Sequence, residues 1–204
     1  MSTIGYLVAD VERRSAVVID VPFGSAGDIG ATVTRMGLAV TGILLTHGHW
    51  DHTGEARRLA TGFDAPVRMH AMDEEMLVHP MTYGFPLAFP LEAMQPNGLL
   101  RHGDTVDSGS LHFEVLHVPG HTPGHLAFHE AALGIIFTGD TLFHRSIGRT
   151  DLPGGSYDTL LQSIMERLMQ LPPETIVYPG HGPATTIGEE RAQNPFIREY
   201  LEHF

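Results

Sequence analysis

The amino-acid sequence predicts an α/β fold in which two packed sheets are flanked by helices. In each half of the chain, short runs rich in Val, Ile, Phe or Tyr alternate with segments of helical periodicity. Several of these runs end in a turn residue that is followed by His or Asp. Because a sheet must bury its apolar face, each half predicts a sheet with its helices on the outside.

The first half predicts four strands, three helices and one unusual loop. The predicted strands are 5–10, 15–21, 40–46 and 66–70, and the predicted helices are 25–36, 53–61 and 72–78. Gly37 and Gly62 are stop signals for the first two helices. The Pro-rich loop 80–98 contains Tyr83 and Phe85. A long apolar loop of this kind predicts a lid or a substrate wall. A plain surface excursion or a subunit contact is an equal alternative.

The second half predicts a second group of strands and two helices. Strands 111–118, 125–130 and 133–138 are closely spaced, which favours an antiparallel meander. Segment 157–171 has the clearest amphipathic pattern and predicts a helix. A strand at 175–178 and a helix at 194–204 complete the chain.

Composition limits the classes of protein to consider. A chain of 204 residues predicts one domain over residues 1–204 with a substantial core. Its net charge of -12 disfavours nucleic acid and anionic membranes as partners. The absence of cysteine excludes disulfides and thiol nucleophiles. No stretch reaches the roughly 20 apolar residues of a membrane span, and no secretory signal is visible, so we expect a cytoplasmic protein.

The stretch that follows strand 40–46 carries a dense group of candidate metal ligands. His47, His49, Asp51 and His52 fall within six consecutive positions. Imidazole and carboxylate groups are ligands that zinc and similar metals prefer. The alternative is a solvated His-rich loop. Three later strands also end beside a candidate ligand, namely His121, Asp140 and His181. Ligands on loops at the ends of rigid strands predict a preorganised metal site.

These motifs resemble the metallo-β-lactamase superfamily. The resemblance is carried by His-x-His-x-Asp-His at 47–52, a distant His, Thr-Gly-Asp-Thr at 138–141 and Pro-Gly-His-Gly at 179–182. Within that superfamily the sequence is most similar to short glyoxalase II-like bacterial hydrolases, through segments 139–143 and 146–155. The resemblance implies a four-layer αββα sandwich with two mixed, mainly antiparallel sheets and a dinuclear metal site.

The resemblance also implies how the ligands divide between two divalent metal ions. One ion would be held by His47, His49 and His121, and the other by Asp51, His52 and His181. Asp140 would bridge the two ions. Zinc is the first choice of metal, with iron and manganese as alternatives, because such ligand sets accept all three.

The implied activity is hydrolysis of a thiolester by a metal-bridging hydroxide, as in hydroxyacylglutathione or lactoylglutathione cleavage. Bound cations lower the pKa of water from ~15.7 toward neutrality. Asp51 would orient this nucleophile, and the alternative is that Asp51 only supports a ligating His. The substrate would be a small anionic thiolester such as a glutathione conjugate. The candidate substrate contacts are Arg149, Tyr83 and Phe85.

Other functions are compatible with the same motifs. An oxidoreductase resembling the persulfide dioxygenases would use one iron and keep the His-rich motif. A hydrolase acting on another ester or on a lactam is a further alternative, as is a binding module with a structural metal. His125, in a third Pro-Gly-His, is interpreted as a structural residue that hydrogen-bonds around the site. The oligomeric state is not indicated.

Overall fold

The computed structural model describes residues 3–81, 87 and 90–203. They form two compact units. The N-terminal unit contains residues 3–100 and 107–111, and the C-terminal unit contains residues 101–106 and those from 112 onward. The expectation of one domain over residues 1–204 stays a prediction.

The N-terminal unit is built on a five-stranded sheet whose strands lie in chain order. Its strands are β1 (Tyr6–Asp10), β2 (Ser15–Ile19), β3 (Ala39–Leu44), β4 (Val67–His70) and β5 (Gly98–Leu100). The β1–β2 hairpin is antiparallel, and the three other pairings are parallel. β5 begins at Gly98, the last residue of the predicted loop 80–98, and the sequence did not predict this strand.

Helices connect the parallel strands of this unit. They are α1 (Ser25–Met36), α2 (Trp50–Thr53), α3 (Ala56–Phe63) and α4 (Glu74–Val78). α1 ends at Gly37 in a left-handed conformation, as predicted. The helix predicted at 53–61 corresponds to α3, which continues past the predicted stop at Gly62 and ends at Asp64 in a left-handed conformation, while α2 is a separate turn of helix before it. Val18 of β2 and Val33 of α1 lie in the resulting core.

A six-stranded sheet in the order β13-β12-β9-β8-β7-β6 belongs to the C-terminal unit except for the residues of β6 and β7 that fall in segment 107–111. Its strands are β6 (Thr105–Ser108), β7 (Leu111–His117), β8 (Leu126–Glu130), β9 (Ile135–Gly139), β12 (Ile176–Pro179) and β13 (Thr185–Thr186). The pairings β7–β8 and β8–β9 are antiparallel, which confirms the predicted meander. A short hairpin of β10 (Leu142–Phe143) and β11 (Ser146–Ile147) follows β9.

Helices of the C-terminal unit pack on its apolar core. They are α5 (Tyr157–Ser163), α6 (Ile187–Gln193) and α7 (Pro195–His203). α5 continues as a π-helical turn over Ile164–Leu168, so helical structure covers most of the predicted segment 157–171. Leu160 and Ile164 are fully buried with Val177 of β12.

The predicted α/β class, with mixed sheets flanked by helices, is confirmed. One detail differs: the N-terminal sheet is mainly parallel, whereas both sheets were expected to be mainly antiparallel. The reason is that helices, rather than tight turns, join β2 to β3 and β3 to β4, and such crossovers return the chain in the same direction. Within the described residues, every helix is too short or too polar to span a bilayer.

Candidate metal centre

Three buried imidazoles follow β3 in the N-terminal unit. His47 and His52 are fully buried, and His49 is almost so. The ring centroid of His47 lies 4.8 Å from that of His49 and 4.2 Å from that of His52. Imidazole nitrogens this close to one another are suitably placed to share a metal ion.

One buried carboxylate orients two of these rings. Asp20 Oδ2 accepts hydrogen bonds from Thr46 Oγ1 at 2.7 Å and from His52 Nδ1 at 2.8 Å, and Asp20 Oδ1 accepts the Thr46 amide at 2.8 Å. Since the Thr46 hydroxyl donates to Asp20, it accepts from His47 Nδ1, which lies 3.0 Å away. Both imidazoles therefore carry their proton on Nδ1 and keep Nε2 for a metal ion.

Gly48 separates two of the candidate ligands and has no space for a side chain. A Cβ at this position would lie 2.6 Å from Met76 Cβ and 2.9 Å from the Asp73 carbonyl oxygen. The Gly48 amide also donates to the carboxylate of Asp73, at 3.1 Å. Close packing against α4 and the turn before it thus holds the backbone between His47 and His49.

Asp51 is the most exposed of the N-terminal candidates. Its side chain is 29% exposed, and its Oδ2 lies 3.8 Å from His52 Nε2. The Thr3 hydroxyl donates to the same carboxylate oxygen at 2.9 Å. Asp51 therefore has a defined orientation and retains access to solvent.

The candidates of the C-terminal unit follow three different strands. His121 follows β7, Asp140 follows β9 and His181 follows β12. β9 and β12 are parallel neighbours, and the Gly180 amide donates to the Gly139 carbonyl at 2.8 Å. Asp140 Oδ2 lies 3.6 Å from His121 Nε2 and 3.4 Å from His181 Nε2. A carboxylate between two imidazole nitrogens is a suitable bridging ligand.

The loop after β11 fixes the His121 ring. His121 Nδ1 donates to the Arg149 carbonyl oxygen at 2.7 Å, so Nε2 is the nitrogen that remains for a metal. A Cβ at Gly148 would overlap the Asp140 carbonyl oxygen and lie 3.3 Å from His121 Nδ1. Only glycine allows the loop to approach both candidate ligands this closely.

A buried acidic residue anchors the β10–β11 hairpin. Glu190 of α6 is fully buried and accepts hydrogen bonds from the Arg145 amide at 2.9 Å, from Asn194 Nδ2 at 2.8 Å and from Thr185 Oγ1 at 2.7 Å. The hairpin also carries Phe143, whose ring lies edge-on to His181 at 5.8 Å. Glu190 thereby supports the segment that follows Asp140.

Within the part of the chain that the structure describes, seven residues are candidate metal ligands: His47, His49, Asp51, His52, His121, Asp140 and His181. Histidine nitrogens and carboxylate oxygens fit a divalent transition metal, and the Nδ1 hydrogen bonds already orient the donors.

The model of the metallo-beta-lactamase superfamily matches residues 5–181. The chain belongs to this superfamily. A Mycobacterium tuberculosis relative, described as an uncharacterized protein, is 40% identical over 94% of this chain and 91% of its own length. Hydroxyacylglutathione hydrolase GloC of Haemophilus influenzae is 36% identical, over 91% of this chain and 89% of the relative.

Solved structures of metallo-beta-lactamase proteins agree with the fold. The BLEG-1 B3 metallo-beta-lactamase is 37% identical with a TM-score of 0.87, covering 96% of this chain and 94% of that chain. The di-iron-bound form of TTHA1623 is 41% identical with a TM-score of 0.81, covering 94% and 93%. ETHE1 from Myxococcus xanthus is 31% identical with a TM-score of 0.79, covering 98% and 85%.

His125 has the structural role that the sequence predicted. Its Nε2 accepts the Asp140 amide at 3.0 Å, so its proton is on Nδ1, which donates to Thr141 Oγ1 at 3.1 Å. With both ring nitrogens engaged, this buried imidazole supports the metallo-beta-lactamase motif around Asp140 rather than offering a ligand atom.

The substrate contacts predicted from the sequence have different outcomes. Tyr83 and Phe85 lie outside the described residues. Arg149 lies on the loop that contacts His121, and its side chain is half exposed. Arg149 Nε and Nη2 donate to the two carboxylate oxygens of Asp151 at 2.7 and 2.8 Å. This hydrogen bonding raises the pKa of Arg149 and lowers the pKa of Asp151 to about 2.

Sequence reasoning missed two supporting carboxylates of this member of the metallo-beta-lactamase superfamily, Asp20 and Glu190. Asp20 directly follows the apolar strand β2, so the strand-end rule applied to the other ligands was sufficient to find it. Glu190 lies in a helix that the sequence did not predict, and its burial follows only from packing against the β10–β11 hairpin.

Proposed function

We propose that this chain is a metal-dependent thiolester hydrolase of the glyoxalase II type. The observation that carries the proposal is the orientation of three imidazoles, His47, His52 and His121, by hydrogen bonds on Nδ1. Such bonds direct Nε2 to a metal ion. The 36% identity to hydroxyacylglutathione hydrolase GloC, over most of both chains, supports the thiolester as the substrate class.

The proposed centre holds two divalent ions. His47, His49 and His121 would bind one ion, and Asp51, His52 and His181 would bind the other. Asp140 would bridge them, a role suited to a carboxylate that lies 3.4–3.6 Å from two imidazole nitrogens. A related protein in a di-iron-bound form supports a pair of ions. We propose zinc, with iron or manganese as alternatives that availability would decide.

Divalent ions at such a site lower the pKa of water and polarise a carbonyl group. The protein supplies the orientation. Asp51 would position the attacking water and accept its proton, while the Thr3 hydroxyl holds the Asp51 carboxylate in place. The water oxygen would form a bond to the carbonyl carbon, after which the carbon–sulfur bond would break and its electron pair would leave with the sulfur. A thiolate is a good leaving group, so this chemistry needs little help from a general acid.

The proposed substrate is a small anionic thiolester such as a glutathione conjugate. Release of thiol from S-lactoylglutathione by the metal-loaded protein tests this directly. We expect turnover far above that of an oxygen ester of the same acyl group. Equal turnover of the two esters would contradict thiolester specificity.

Metal content tests the ligand assignment independently of turnover. We expect two ions per chain in the parent protein and a lower metal content in His52→Asn and His181→Asn. His79→Asn is the matched control, because the His79 side chain is 71% exposed. Unchanged metal content in both ligand variants would contradict the assignment.

A second candidate is an oxidoreductase that resembles the persulfide dioxygenases. The 31% identity to ETHE1 from Myxococcus xanthus favours retaining this alternative. It requires a single iron and consumes oxygen with a persulfide substrate. One iron per chain, oxygen uptake and no thiol release from thiolesters would replace the first proposal with this one.

Lactam hydrolysis is the third reaction to assay, because a B3 metallo-beta-lactamase is 37% identical to this chain. The same metal-loaded preparation should be tested with a β-lactam chromophore. Under the leading proposal its turnover is far below that of the thiolester.

A further inference from the structure

A paired guanidinium lies on the loop next to the candidate ligand His121. The carbonyl oxygen of Arg149 accepts from His121 Nδ1, so the backbone of this residue touches the proposed centre. The side chain of Arg149 forms a two-pronged ion pair with Asp151. The guanidinium of the residue that makes this backbone contact therefore already has an anionic partner.

The loop that presents this pair is anchored at both ends. At its start, the Arg149 carbonyl is bound by His121. At its end, the Ser156 amide donates to the Gly120 carbonyl at 2.8 Å, and the Gly155 amide closes a turn onto Leu152 at 2.9 Å. Because the backbone is held, Arg149 and Asp151 stay within reach of each other and beside the His121 loop.

We propose that Asp151 sets the charge specificity of the site by competing with an anionic substrate for the Arg149 guanidinium. This inference rests on the proposed function. A substrate carboxylate must displace Asp151, or share the guanidinium with it, before it gains the same fork of hydrogen bonds. Asp151 therefore lowers the preference for carboxylate-bearing thiolesters over neutral ones.

The size of the effect follows from the exposure of the pair. The side chains of Arg149 and Asp151 are 50% and 69% exposed. Solvent screens an exposed ion pair and keeps its contribution small, so removal of Asp151 should change selectivity by no more than about five-fold, and we expect about two- to five-fold. The change should appear in KM rather than in kcat, because the carboxylate is remote from the reacting carbonyl. A higher salt concentration should reduce this change in selectivity, because it screens exposed charges.

Two substrates that differ only at the glycine carboxyl group, one anionic and one neutral, test the proposal. They are S-lactoylglutathione and its glycine ethyl ester, assayed by thiol release so that cleavage of the ethyl ester is not detected. In Asp151→Asn and Asp151→Ala, the ratio of kcat/KM for the anionic to the neutral substrate should rise two- to five-fold. Asp158→Asn, an exposed carboxyl on α5, is the matched control and should leave the ratio unchanged.

A double-mutant cycle identifies Arg149 as the group for which Asp151 competes. Arg149→Gln should lower the ratio, and adding Asp151→Asn to it should have no further effect. An equal change for both substrates in Asp151→Asn, or an undiminished effect without Arg149, would overturn the proposal.

Equilibrium binding separates this proposal from the proposed function. Calorimetry of glutathione and of its glycine ethyl ester with the metal-loaded protein requires no turnover. Tighter binding of glutathione alone in Asp151→Asn supports the specificity role even if no thiolester is cleaved. Unchanged binding of both compounds overturns it even if S-lactoylglutathione is a substrate.

Discussion

The two units hold their candidate ligands in different ways. In the N-terminal unit, His47 and His52 lie on one short segment, and a single buried carboxylate, Asp20, orients both rings. In the C-terminal unit, Asp140 and His181 follow neighbouring parallel strands, and a backbone carbonyl orients His121. A ligand set that is compact in sequence depends on one residue, whereas a dispersed set depends on the sheet and on its loops.

Asp20→Ala should give the largest effect, because it removes the shared support of the N-terminal set. Three buried donors lose their acceptor, and each unsatisfied donor costs about 1–3 kcal/mol. We expect the free energy of unfolding to fall by about 3 kcal/mol or more. Metal affinity should fall by about 10- to 100-fold. Denaturant unfolding and a chelator-competition titration measure the two quantities.

Asp28→Ala is the control for this prediction, since Asp28 is exposed in the first turn of α1. Its loss should cost only a few tenths of a kcal/mol. Similar metal affinity in Asp20→Ala and Asp28→Ala would show that the N-terminal ligands do not depend on one carboxylate.

Glu190→Ala tests the dispersed set and should have the next largest effect. The substitution removes the acceptor of the Arg145 amide and one of the two acceptors of Thr185 and of Asn194, so we expect a loss of about 2–3 kcal/mol in unfolding free energy. Metal affinity should change less than in Asp20→Ala, because the hydrogen-bond donors to Glu190 among the described residues are Arg145, Thr185 and Asn194 rather than candidate ligands. Glu174→Ala, at an exposed turn, is the control. A loss of metal affinity equal to that of Asp20→Ala would contradict the comparison.

Alanine substitutions at Gly48 and Gly148 introduce the same steric change, an added Cβ, into the N-terminal and the C-terminal unit. Gly148→Ala forces a Cβ onto the backbone oxygen of Asp140, and Gly48→Ala forces one onto Met76 and Asp73. We expect losses of about 1–3 kcal/mol, larger at Gly148 because the obstacle is backbone. Gly62→Ala, an open position in α3, should instead stabilise the protein by about 0.5–1 kcal/mol. Thermal unfolding provides the ranking, and equal stability of all three variants would contradict it.

The smallest expected effect concerns acid stability of the N-terminal unit. The Ser110 hydroxyl and amide and the Arg13 amide lower the pKa of Asp10 from 3.8 to about 2. Since the folded pKa is the lower one, this stabilisation is present above pH 3.8 and is lost as the pH falls toward 2. Ser110→Ala should raise the pKa of Asp10 and flatten the fall in unfolding free energy between pH 4 and pH 2.

Asp151→Asn removes another carboxyl whose pKa is about 2, and it serves as the comparison. Asp151 joins residues two positions apart on an exposed loop, whereas Asp10 joins the first hairpin to segment 107–111. A pair this close in sequence persists in part in the unfolded chain, so the folded and unfolded pKa values of Asp151 differ less, and the acid slope should change less in Asp151→Asn than in Ser110→Ala. The reverse order would contradict this explanation.

Sequence reasoning was most successful where a local pattern is sufficient. Strand ends and helix stops follow from periodicity and from turn residues, so α1 with Gly37 was predicted to the residue. The direction of the strands was not predicted, because the parallel pairing of β3 with β2 depends on the route of the chain that connects them. Short elements such as β5 and β13 have too few residues to show a period, and pairing with a neighbour defines them.

For the candidate centre, the residue types were predictable and the supporting contacts were not. His121 stands out as an imidazole after a strand, but nothing in its surroundings indicates that Arg149 provides the acceptor for its ring. Likewise, Arg149 was a reasonable anion contact by position, and its pairing with Asp151 emerges from the loop conformation. The assignment of ligands to two ions stays a prediction.

The chain order of strands in the N-terminal sheet has a consequence for biosynthesis. Each strand from β2 to β5 hydrogen-bonds to the one translated just before it. A ribosome releases the polypeptide from its N-terminus, so this sheet can grow one strand at a time as translation proceeds. The partner of β12 is β9, so completing the other sheet waits until nearly the whole chain has been made.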